Sequence, residues 1–162
     1  LKLVTANIRR NSPLCLDSKI HHNNLINNIL AKVEANNSGV DDAIMLDLNG
    51  FVAETNSTNI FMIKNEDVFT PIPHACLPGI TRQVVIDLCK KNNILIYERN
   101  ISITELYNAD QVFTTGTIGE LAQVIEIDKR KIKDKGKLLN RLQNLFRKLT
   151  ETEGEKISRK TI

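Results

Sequence analysis

Aromatic side chains are scarce in this sequence, 4% of its 162 residues, and the basic residues that gather after Lys129 are not interleaved with them. A surface that stacks bases while gripping phosphates needs both kinds together, so no nucleic-acid partner is expected. The net charge of +3 is too small to argue otherwise. Long apolar runs are also missing. None approaches the roughly eighteen residues that cross a bilayer, and no leader of charged then apolar residues opens the chain. No membrane partner is therefore expected, and a cytoplasmic setting fits best. Cysteine is rare and odd in number: Cys15, Cys76 and Cys89 show neither a Cys-x-x-Cys nor any other metal spacing. Three reduced, mostly buried thiols are expected rather than disulfides, and no metal site.

What is present suffices for one soluble globular domain, since 41% of residues are hydrophobic and 25% charged. The chain begins at Leu1 without methionine, so further sequence upstream is expected. Its patterns alternate between strand and helix. Leu1 to Arg10 reads as a strand ending in a basic pair, followed by a turn at 11–13 and a segment, Ser18 to His22, that leads toward a helix. That helix should span Asn24 to Asn36, capped by Asn23 or Asn24, with Leu25, Ile29, Leu30 and Val33 on one face and Ser38 and Gly39 as its stop. Strands follow at 42–48 and 51–53 around an Asn49–Gly50 hairpin, and at 59–64 and 68–70 around a polar turn at 65–67. The polar run Glu54 to Asn59 reads as a loop too long for a minimal connection, hence a functional one.

After a helix opening near Thr81 come a strand at 94–97, a turn or short helix at 101–108, and a strand at 111–113 that runs into a turn over 114–120. A strand at 124–127, a solvated basic stretch over 129–137 and an amphipathic helix at 138–149 complete the pattern, with a frayed tail beyond Thr150. A mixed α/β (α+β) domain follows.

Two turns carry chemical potential. Ala75 to Leu88 opens a helix from a Pro78–Gly79 turn, which leaves free amides around Gly79 to Arg82 where an anion can sit, with Thr81 able to cap. The local pattern fits equally a buried helix start whose glycine only relieves the turn. Thr114 to Glu120 is a second turn of this kind, and hydroxyls bonded back to the main chain are its plain structural reading.

Read together, Leu30–Ala35, Asp47–Glu54, Asn59–Phe61, Thr70–Pro71, Leu77–Arg82, Glu98–Arg99 and Ala109–Thr117 follow one another in the order and spacing seen in the class IV aminotransferases, and the chain resembles that family from residue 1 to about 150. The family includes branched-chain and D-amino-acid aminotransferases and aminodeoxychorismate lyase, all using pyridoxal 5'-phosphate. The resemblance implies their larger, cofactor-binding domain, a mixed sheet or pseudo-barrel with flanking helices over residues 1–150 and a tail over 151–162. The family's small N-terminal domain, with an arginine for the phosphate and part of the substrate pocket, is expected to lie outside this sequence. The resemblance also implies an amino acid and a 2-keto acid as substrates and a homodimer, because family active sites form at subunit interfaces.

Carried over by motif, Glu54 pairs with the cofactor's pyridine nitrogen, and a carboxylate facing a pyridinium is the charge pairing that an electron sink needs. The amides of Ile80 and Thr81 and the Thr81 hydroxyl form the phosphate cup, completed by Thr117. The backbone of Thr117 and Ile118, with Gly119 permitting close approach, receives the substrate carboxylate. Arg82 and Arg99 are expected to be structural ion-pairing residues. One position departs from the family: where its catalytic lysine forms the internal aldimine, this chain has His21. Imidazole cannot form that Schiff base, although it can still shuttle protons. Lys19 would face the same side of an extended segment, displaced by about 7 Å. Three readings follow: a branched-chain-type transaminase with its lysine changed to His21, a noncatalytic relative that binds the cofactor or a metabolite, and a lyase of the aminodeoxychorismate type.

Overall fold

Alternating side chains along two sheets set the layers of this domain. The computed structural model describes residues 1–153; most of the tail expected at 151–162 lies outside the described residues, and the last helix runs through Thr152. In chain order the first half comprises β1 (Lys2–Thr5), α1 (Ile26–Asn37), β2 (Asp42–Leu46), β3 (Val52–Thr55), β4 (Asn59–Lys64) and β5 (Asp67–Thr70). The second half comprises α2 (Ile80–Lys91), β6 (Ile96–Glu98), α3 (Ile103–Tyr107), β7 (Gln111–Gly116), β8 (Glu120–Val124), β9 (Glu126–Ile127), β10 (Arg130–Lys131) and α4 (Leu138–Thr152). One mixed sheet has the order β10-β9-β1-β2-β3 and the other β6-β5-β4-β7-β8. β1 and β2 are parallel, with α1 as their crossover.

Along β2, Ile44 and Leu46 join Leu3, Ile60, Met62 and Val112 in one buried cluster, while Ala43 and Met45 join Ala31 and Ala35 of α1 in another. Along β4, Phe61 and Ile63 turn the other way, onto Val85, Ile86 and Cys89 of α2 and Leu139, Leu142 and Phe146 of α4. Period-two alternation thus yields four layers: α1, the first sheet, the second sheet, then α2 with α4. The mixed α/β class expected from the pattern is the one found.

Several local expectations change for physical reasons. α1 buries Asn27, Ala31 and Ala35, and the apolar face of Leu25, Ile29, Leu30 and Val33 is exposed, because small side chains let the helix approach the sheet closely. Its N-cap is Leu25 with no side-chain bond, so neither Asn23 nor Asn24 caps it. The segment before it turns rather than extends or coils. The β2–β3 hairpin is wider than two residues: Asp47 Oδ1 accepts from the amides of Asn49 and Phe51, and Gly50 takes a φ of 84°. The polar run at 54–59 is no long loop either. β3 extends through Thr55 and β4 starts at Asn59, because buried Thr55, Asn56 and Asn59 find polar partners. β7 continues through Gly116, since its pairing with β8 extends to Gly116 opposite Glu120. Residues 120–124 are therefore strand.

Candidate active site

Where β3 ends, α2 begins and the β7–β8 turn comes close, the fold leaves a cavity of about 410 Å³, a volume suited to one small molecule. Lys19, His21, Glu54, Ile80, Thr81 and Thr117 all line it. Ile118 and Gly119 do not. The strand pairing confines the turn to 117–119, where Ile118 is 100% exposed and Gly119 borders a separate hollow beside Gln143 and Phe146. Of the three residues expected to receive a substrate carboxylate, Thr117 alone reaches this cavity.

Glu54 forms one end. An irregularity in the β2–β3 pairing sets Glu54 opposite Met45, which packs under α1, and Glu54 is buried at 4% exposure. Arg10, itself 5% exposed, donates from Nε to Glu54 Oε1 at 2.7 Å. Its Nη1 donates to Asn27 Oδ1 at 3.0 Å, and Asn27 Nδ2 donates to the Arg9 carbonyl at 2.8 Å. The other carboxylate oxygen has a looser neighbour, Asn59 Nδ2 at 3.5 Å, whose stronger bond goes to the Leu77 carbonyl at 2.9 Å. Burial pushes the Glu54 carboxyl up to about 7, against the opposing pull of Arg10. Cys76, close behind, is pushed up to about 12 by burial and by the Glu54 charge, so it stays a thiol. The sequence reading missed Arg10 and Asn27. A buried carboxylate demands a cation, but nothing in the sequence pattern marks an arginine 44 residues away as that cation.

α2 forms the opposite end. Its N-cap is Gly79, in extended backbone, and no side chain caps it. Thr81 thus sits within the first turn instead of capping it, and the first amides of a twelve-residue helix, with its positive dipole end, are left without a side-chain acceptor. A β-carbon on Gly79 would overlap the Asn59 amide, so glycine leaves that side chain its place where α2 enters. A further donor stands by: Thr115, 2% exposed and lining the cavity, has a buried hydroxyl with no hydrogen-bond partner among the described residues.

His21 and Lys19 reach the cavity from a turn. The Ile20 amide donates to the Asp17 carbonyl at 3.0 Å and the Lys19 amide to Asp17 Oδ1 at 3.0 Å, so this segment is not extended. Alternation along a strand therefore does not govern Lys19, which lines the cavity together with His21. Arg82 and Arg99 lie elsewhere, as structural pairs: Arg82 Nη2 is 2.6 Å from Glu98 Oε2 and 2.9 Å from the Pro71 carbonyl, and Arg99 Nη2 is 2.7 Å from Glu105 Oε1. Among the described residues, no cluster of histidine, cysteine and carboxylate side chains could hold a metal.

These features suit a compound with a protonatable ring nitrogen at one end and a phosphate at the other. An anionic acceptor meets the first, while uncapped amides and an orphan hydroxyl meet the second. The phosphopyridoxal group implied by resemblance has this shape and charge.

Comparison with known proteins shows the family and the fold. The family model described as amino-transferase class IV matches residues 1–127. The chain is 59% identical over 154 residues to branched-chain-amino-acid aminotransferase-like protein 2 of Arabidopsis thaliana, covering 94% of this chain and 28% of the relative. Among solved structures it is similar to the branched-chain aminotransferase of Thermoproteus uzoniensis with norvaline, with a TM-score of 0.90, 32% identity, and coverage of 96% of this chain and 52% of that one. An aminotransferase from Brucella abortus bound to the cofactor PLP matches with a TM-score of 0.87 and 31% identity, over 93% of this chain and 54% of that one. The chain thus spans about half the length of these structures.

Proposed function

The chain belongs to the class IV aminotransferase family, and from that premise we propose that it is the cofactor-holding part of a pyridoxal-phosphate-dependent transaminase for branched-chain amino acids and 2-keto acids. One observation carries this reading: a buried carboxylate, an uncapped helix N-terminus and the Thr115 and Thr117 side chains converge on one 410 Å³ cavity. Branched-chain specificity is supported by the names of the relatives. Glu54 holds the charge of the ring nitrogen. The amides of Ile80 and Thr81, with the hydroxyls of Thr81 and Thr117, hold the phosphate. When bound, the cofactor supplies the electron-withdrawing ring that makes an amino acid's α-proton acidic. His21 stands in the family's lysine position and can hold or move a proton there, but it offers no primary amine. The proposed partners are the remaining part of a full-length enzyme and a second copy in a homodimer, which would cover the open side around Ile80, 85% exposed.

Equilibrium dialysis tests the cofactor assignment: the folded chain should bind pyridoxal phosphate weakly, and no binding at millimolar concentration would remove it. The second reading, a cofactor-binding relative without turnover, is favoured by the imidazole at position 21. His21→Lys, assayed together with the rest of a full-length enzyme, should raise transamination by orders of magnitude if only the amine is missing. Borohydride reduction and peptide mass spectrometry of the wild-type chain should find no cofactor fixed within Ser18–Asn24. A label on Lys19 would instead assign the amine to that residue.

A further inference from the structure

Glu54 is buried deeply enough that its ionised form needs an explicit counter-charge, and the sequence reading paired it with no cation of the chain itself. Of the charged groups around it among the described residues, Arg10 alone touches it. Lys19 and His21 line the cavity from the turn before α1, Cys76 stays protonated on the segment before α2, and Arg82 is engaged by Glu98 and the Pro71 carbonyl. Arg10 is in turn fixed from three directions. Its amide donates to the Leu46 carbonyl at 2.8 Å, its Nε to Glu54 and its Nη1 to Asn27. Asn27 is the one polar residue on the buried side of α1, where Ala31 and Ala35 follow at helical spacing, and its amide spans Arg10, the Asn11 amide and the Arg9 carbonyl. A polar side chain at a core-facing helix position is explained by this bridge.

We propose that Arg10, seated by Asn27, is a positioning residue that occupies Oε1 of Glu54 and favours its ionised form, leaving Oε2 to accept from a cationic ring nitrogen in the cavity. This role rests on the cavity's reading as a pyridoxal-phosphate site, but its core, the control of Glu54 by Arg10, is testable in the protein alone. Without the guanidinium, a carboxyl at this depth keeps the Asn59 amide at 3.5 Å and the Leu77 backbone, and its balance moves toward the protonated form. A neutral carboxyl cannot balance a pyridinium. Arg10 is not among the residues lining the cavity and acts through Glu54.

The experiment is a carbon-13 NMR titration of glutamate-labelled chain, free of cofactor, in wild type, Arg10→Met and Asn27→Ala, with the Glu54 signal assigned by its loss in Glu54→Gln. In Arg10→Met the Glu54 midpoint should rise by about one pH unit or more, and in Asn27→Ala by less but in the same direction. Pyridoxal phosphate affinity, measured in parallel, should fall about tenfold at pH 7 in Arg10→Met and recover at higher pH as Glu54 ionises unaided. A purely structural arginine would lower the melting temperature and leave the midpoint where it was. An unmoved Glu54 midpoint in folded Arg10→Met overturns the proposal. Should that variant fail to fold, an unmoved midpoint in Asn27→Ala overturns it equally, since alanine is tolerated in a helix. A moved midpoint in a chain whose wild type binds no cofactor supports Arg10's control of Glu54 while rejecting the cofactor reading.

Discussion

At one end of the cavity Glu54 and Arg10 bring two formal charges into a place that water hardly reaches; at the other, α2 presents backbone amides beside Ile80, at a rim open to solvent. The first end is made of side chains, and each charge there is compensated by one identified partner. The second is made of main chain, and most side-chain changes leave it standing. One end should therefore respond sharply to single substitutions and to pH, the other weakly. The two meet at Gly79 and Asn59, because the missing β-carbon of Gly79 leaves room for the Asn59 amide that bonds Leu77 and approaches Glu54.

Breaking that junction should have the largest effect. Gly79→Ala places a methyl on the Asn59 amide, which must swing away and give up its bond to the Leu77 carbonyl. The lost buried bond and the crowding together should cost about 3 kcal/mol of stability, read from denaturant midpoints. A loss below about 1 kcal/mol would mean that Asn59 has room to move and that the two ends are independent.

Glu54→Gln sharpens the contrast next. An amide accepts a hydrogen bond but carries no charge for a ring cation, so pyridoxal phosphate binding should weaken by about 2 kcal/mol, or roughly thirtyfold, in a dialysis measurement. The same residue sets a pH dependence. Its folded value, about 7, lies above the ordinary 4.5, so its contribution to stability is fully present below about 4.5 and is lost as pH rises through about 7. Thermal melts of the free wild-type chain should therefore decline across that window, and melts of Glu54→Gln should be flatter. Equal slopes in both proteins would show that Glu54 does not titrate there.

The sequence made the backbone end more legible than the side-chain end. A Pro–Gly turn opening into Val84, Val85, Leu88 and Cys89 at helical spacing announces a helix start, and of these Val85, Leu88 and Cys89 are buried while Val84 is partly so. The family motifs supplied Glu54, Thr81 and Thr117, three of the residues that line the cavity. The Arg10–Asn27 support was invisible, because the second arginine of a basic pair after a strand and an asparagine in a helix carry no periodic signal, and their meeting depends on how α1 sits against the first sheet. The same dependence misled the reading of α1. Periodicity shows that Leu25, Ile29, Leu30 and Val33 share a face, but which face the sheet takes is decided by the close approach that Ala31 and Ala35 permit. The polar run at 54–59 looked like a loop because polarity in a single sequence does not distinguish solvent from buried partners.

The smallest effect is expected at the backbone end itself. Thr81→Ala removes one hydroxyl from the cavity and leaves the helix amides in place, and no capping bond is lost because Thr81 makes none. Alanine also favours helix slightly, so stability should be unchanged or marginally higher. Pyridoxal phosphate affinity should fall by about 1 kcal/mol, roughly fivefold, the worth of a single hydrogen bond. That is well under the loss predicted for Glu54→Gln. The ratio between the two variants, measured in one buffer by one method, is the decisive quantity: if Thr81→Ala weakens binding as much as Glu54→Gln does, the anion end is held by side chains after all, and the contrast between a main-chain end and a charged side-chain end is wrong.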